Sequence, residues 1–106
     1  MTEPKVGERV GAIASADETS IIMFGFGVRV EDEVPTDAQG EQAEMCKLLK
    51  RKNPCLLLDS GKKVYGCECW WGLEADIKQG ILERKLEVKE ADLDAERKLA
   101  QEALQQ

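Results

Sequence analysis

The sequence predicts a small α+β domain: a small curved antiparallel sheet or SH3-like barrel, with an inserted helix and a C-terminal helix. Three observations predict it. A long alternating run from Ile21 to Val30 is followed by two apolar runs, 55–59 and 63–70, that flank Ser60-Gly61-Lys62 as a hairpin turn. Gly25 and Gly27 interrupt the long run at a spacing of two, where a sheet curls or another chain segment comes close. Segments of helical periodicity lie outside the strands. An open antiparallel sheet with helices on one side is the alternative.

Taken in order, residues 5–15 read as a short strand, with Val10, Ala12 and Ala14 on one side and Arg9, Gly11 and Ile13 on the other. Asp17, Glu18 and Thr19 form a polar turn. The next strand sets Ile22, Phe24, Phe26, Val28 and Val30 against Ile21, Met23, Gly25, Gly27 and Arg29. Residues 31–40 are acidic and turn-rich, Pro35 removes a backbone donor, and Asp37 is placed to cap the next helix.

The inserted helix is predicted over 41–52, with Met45, Leu48 and Leu49 on its buried face and Lys47, Lys50, Arg51 and Lys52 complementing the dipole at its end. Asn53-Pro54 stops it. In the second strand of the hairpin, Trp70 and Trp71 must point to opposite faces if the strand continues, so one of them faces solvent or a partner. A short helix holding Leu73 and Ile77 ends at Gly80, and Leu86 and Val88 mark a last strand. Asp92 caps the final helix, in which Leu93, Ala100 and Leu104 share a seam. The 106 residues read as one domain, with a flexible segment at 1–4 and the C-terminal helix within 91–106.

Composition limits the function. No leader or membrane-spanning pattern is visible, so the expected location is cytoplasmic, with no membrane partner, and the four cysteines are expected as thiols or metal ligands. A net charge of −6 argues against general nucleic-acid binding. Histidine is absent, and no nucleophile has an evident partner, so no enzyme is expected.

Cys46, Cys55, Cys67 and Cys69 supply enough sulfur for tetrahedral zinc, although their separations match no paired Cys-x-x-Cys knuckle; buried inert thiols are the plainer reading. Glu68 lies between Cys67 and Cys69, and its charge disfavours a reactive thiolate. Tyr65, Trp70 and Trp71 cluster within seven positions, either as core or as a docking platform. Lys47 and Arg51 could meet an acidic group, or merely complement the helix dipole.

The stretches VGERVGA (6–12), FGFGV (24–28) and LLLDSGKKVYGCECWWG (56–72) resemble a group of small uncharacterised proteins of bacteria and their phages. The resemblance implies a phage-type or mobile-element accessory protein and assigns no residue a role. The leading expectation is a non-catalytic binding protein that takes up a host protein or small-molecule ligand through Tyr65, Trp70, Trp71, Lys47 and Arg51. The alternatives are a zinc protein built on the four cysteines, and a homo-oligomer that joins by its terminal helix and an edge strand and sequesters a nucleotide-like signal.

Overall fold

The computed structural model describes residues 4–105. Strands β1 (Arg9–Ala16) and β2 (Ser20–Glu33) pair antiparallel around a turn closed by Asp17, whose Oδ1 accepts the backbone N–H groups of Thr19 and Ser20, both at 2.8 Å. Next in the chain come α1 (Glu41–Leu48), β3 (Asn53–Leu58), β4 (Lys63–Tyr65), a 3-10 turn at Gly66–Glu68, β5 (Trp70–Leu73), α2 (Glu74–Arg84), β6 (Glu87–Glu90) and α3 (Leu93–Leu104). The sheet runs β4-β3-β2-β1-β5, and β6 lies parallel to the first half of β2.

The architecture is the curved sheet with an inserted and a C-terminal helix. Its end strands, β4 and β5, are joined by the 3-10 turn, yet no ladder pairs them, so the sheet stays open there. The curl has a local cause. Ala12 pairs with Gly25 but Ile13 with Met23 and Ser15 with Ile22, so Phe24 and Ala14 are extra residues in their strands. Gly25 takes φ 139°, a backbone setting costly for a side chain-bearing residue. At Gly27 a Cβ would lie 2.1 Å from the Leu57 carbonyl oxygen, so the second glycine serves close approach of the neighbouring strand.

The bulges also divide the two phenylalanines that simple alternation places together. Phe24 packs against the main core of Val10, Ala12, Leu56, Leu58, Val64 and Leu93, with Cys69 and Trp71 beside it. Phe26 lies on the other face, where its ring and Ile77 of α2 crowd the space above Gly11. A second, smaller core holds Ala38, Ala43, Cys55 and Tyr65, flanked by Val30 and Cys67. Successive residues of β3 thus serve different cores, Cys55 one and Leu56 the other.

Several elements depart from the sequence reading. The helix expected over 41–52 ends at Leu48, because Lys50 turns left-handed at φ 54°. There the N–H groups of Lys50 and Arg51 bond back to the carbonyls of Lys47 and Cys46. Its N-cap is Gly40, with no side-chain cap, rather than Asp37. It buries Ala43 and Cys46, and leaves Met45, Leu48 and Leu49 exposed. The helix after Gly72 runs past Gly80 to Arg84 and closes the same way at Lys85, while Leu86 N–H reaches the Ile81 carbonyl.

Asp92 caps α3 as expected, accepting from Ala95 N–H at 3.1 Å. Of the segment expected to be flexible, residues 1–3 lie outside the described residues. Pro4 is buried, and its carbonyl accepts from Arg29. No helix among the described residues is long and apolar enough to cross a membrane.

Candidate binding surface

The second hairpin strand does not run through to Trp70. At Gly66 the chain enters the 3-10 turn, held by Glu68, whose Oε1 accepts Tyr65 N–H at 3.1 Å. Arg97 of α3 clamps the same carboxylate with two 2.8 Å hydrogen bonds and the Lys63 carbonyl with a third at 2.7 Å. The side chains are only 14% (Arg97) and 9% (Glu68) exposed, a sheltered pair of the kind that is costly to break from one side. Nothing local in the sequence marks out Arg97, which is one charge among Asp94, Glu96, Lys98 and Glu102 on the same helix.

The turn resets the strand, and β5 presents the tryptophans to opposite faces. Trp71, opposite Ala12, packs onto the main core, with the Arg29 guanidinium 5.2 Å from its ring centroid. Trp70, opposite Ile13, is 75% exposed. Tyr65 is fully buried in the second core, and burial pushes its hydroxyl pKa up; as it stands it presents no surface to a ligand.

Ile13 connects Trp70 to a groove between α2 and the β1–β2 hairpin. Ile13, Ile21, Ile77, Ile81 and Leu86 line its apolar floor, and its volume is about 310 Å3. That is the small end of ligand cavities, suited to one side chain or a single ring. Asp17, Asp76 and Glu83 stand at its rim with Arg84, leaving carboxylates in excess. The two backbone N–H groups on Asp17 hold its pKa below the ordinary value, so it stays charged. Arg9 positions α2 against the sheet by bonding both Asp59 and Glu74 at 2.7–3.2 Å.

No family model, curated protein or solved structure matches this chain. Its chemistry therefore has to be read from its own geometry.

The cysteines are dispersed among structural tasks. Cys46 accepts from Asn53 Nδ2 at 3.3 Å, Cys55 is fully buried, and Cys69 donates its thiol to the Tyr65 carbonyl at 3.6 Å. Among the described residues, no three Cys, Asp or Glu side chains are grouped so that they could hold a metal ion. Burial first and the Glu68 charge second push Cys67 up to about 11 and Cys69 to about 12. Cys55 rises to about 11, chiefly by burial. Lys47 bonds Glu44 on its own helix at 3.2 Å. Arg51 is exposed just past the end of α1.

Proposed function

We propose that the protein acts by stoichiometric binding, and that the groove beside Trp70 is where a partner docks. The observation that supports this is the exposed Trp70, held on a short strand next to an apolar groove rather than on a loose loop. Interface hot spots are enriched in tryptophan, because its large flat area is anchored by two torsions only. The groove accepts an apolar side chain or ring, and the carboxylates of Asp17, Asp76 and Glu83 favour a cationic neighbour. A host protein segment or a small ligand with that pattern would fit.

A photocrosslinking amino acid placed at position 70 in cells should give one stoichiometric adduct, absent when the same group replaces the exposed Val6. The adduct's identified partner, once purified, should bind Trp70→Ala at least tenfold more weakly. Identical adducts from both positions, or unchanged affinity, would overturn the reading.

A further inference from the structure

The apolar face of α1 is turned away from the core. Met45, Leu48 and Leu49 are 53%, 77% and 55% exposed, while the smaller Ala43 and Cys46 face inward. Large apolar groups left out on a helix whose small groups are buried mark an association surface more often than a scattered single leucine does. The chain's main basic run, Lys50-Arg51-Lys52, continues directly from this face. Among the described residues none of these three cations is in an ion pair, whereas Lys47 is held by Glu44.

The groove beside Trp70 carries the opposite character. Its floor is isoleucine and leucine, and its rim holds Asp17, Asp76 and Glu83 against the single cation Arg84, so carboxylates are in excess. One chain therefore displays an apolar knob edged with cations and an apolar slot edged with carboxylates. We infer that the partner of the groove is the basic, leucine-bearing end of α1 on a second copy of this chain. The inference rests on reading the groove as a docking site.

The two surfaces are different patches, so the contact is heterologous: each copy offers a slot to one neighbour and a knob to another, and copies join head to tail into a ring or an open row. Charge complementarity also chooses this occupant over an anionic bilayer. A membrane would meet the cations, but the net charge of −6 would oppose its approach and the groove would be left without a partner.

Sedimentation of the full chain tests this together with two charge and contact variants. The knob variant is Leu48→Ser with Lys50→Glu and Arg51→Glu. The slot variant is Asp76→Lys with Glu83→Lys. All of these positions are exposed, so both variants should fold, which circular dichroism checks. Wild type should associate with rising concentration. Each variant alone should associate at least tenfold more weakly. An equimolar mixture of the two should recover one intact contact and stop at the heterodimer.

A wild type that stays monomeric at millimolar concentration, or a mixture that recovers nothing, would overturn the inference. Membrane capture is checked by flotation with vesicles containing anionic phosphatidylserine, and binding there without self-association also overturns it. The groove reading is checked separately by fluorescence anisotropy with a labelled peptide copying residues 44–53. Peptide binding by a monomeric protein would sink the second-copy contact and leave the groove standing; no binding in either assay sinks the second-copy contact, and the crosslink at position 70 then decides the groove reading.

Discussion

Helices α1 and α3 have similar sequence character, each with an apolar seam among charges, yet they settle in opposite ways. In α3 the start of the seam faces the body of the protein: Leu93 joins the main core, and Arg97, one turn on, reaches past it to clamp Glu68, while Leu104 at the far end is exposed. In α1 the seam faces out, and the helix buries Ala43, which joins the second core, and Cys46. The difference teaches that the face a short helix buries is set by the room beneath it. Tyr65 and Cys55 already fill the space below α1, so only small side chains fit there.

The sharpest way to break the comparison is to cut the clamp on α3. Arg97→Ala leaves Glu68 sheltered and unpaired, and should cost about 3–5 kcal/mol in denaturant unfolding. A double variant with Glu68→Gln should recover part of the loss; if it recovers none, the ion pair is not what holds α3 to the turn. Enlarging the inward face of α1 is the next test. Ala43→Leu, placed in a filled core, should destabilise by about 1–3 kcal/mol. An unchanged melting midpoint would show that there is spare room.

The thiols between the two helices offer a pH test. Because Cys55, Cys67 and Cys69 have raised folded-state values, folding holds their protons, and the stability this provides is complete below the unfolded thiol value. It is lost as pH rises from about 9 through the folded values near 11–12. By pH 10 each well-shielded thiol should cost up to about 1.4 kcal/mol, less where water reaches the sulfur. A Cys69→Ala variant should flatten that alkaline limb; an identical pH profile would argue against the burial.

Smaller effects sharpen the contrast further. Lys50→Gly relieves the left-handed residue that ends α1, and should stabilise by up to about 1 kcal/mol. Leu48→Gln on the outward face should change stability by no more than about 0.5 kcal/mol. A large loss there would mean that the leucine is packed after all.

How far the sequence could be read depended on the range of the interactions concerned. The Asp17 turn, the Gly61 hairpin and the Asp92 cap are local hydrogen-bond devices, and each appears where its residues stand. The tryptophan rule also held, since adjacent residues of a strand face opposite ways whatever surrounds them. Other features were settled from a distance. The break before β5 depends on Arg97, 29 residues away from Glu68 in the chain. The separation of Phe24 from Phe26 depends on a bulge that only the pairing of β1 with β2 imposes. The groove needs α2 laid over Ile13 and Ile21, and periodicity in any one segment carries no trace of it.

By itself, then, the sequence determined the α+β class, the places of the helices and of most strands, the turns and the exposure of one tryptophan, because these arise from alternation, caps and backbone torsions within a few residues. The tertiary structure alone decided which face of α1 is buried, where the cysteines lie and what stands beside Trp70. Those outcomes depend on volume and charge brought together from remote parts of the chain, and close packing lets each site accept only what its neighbours leave room for.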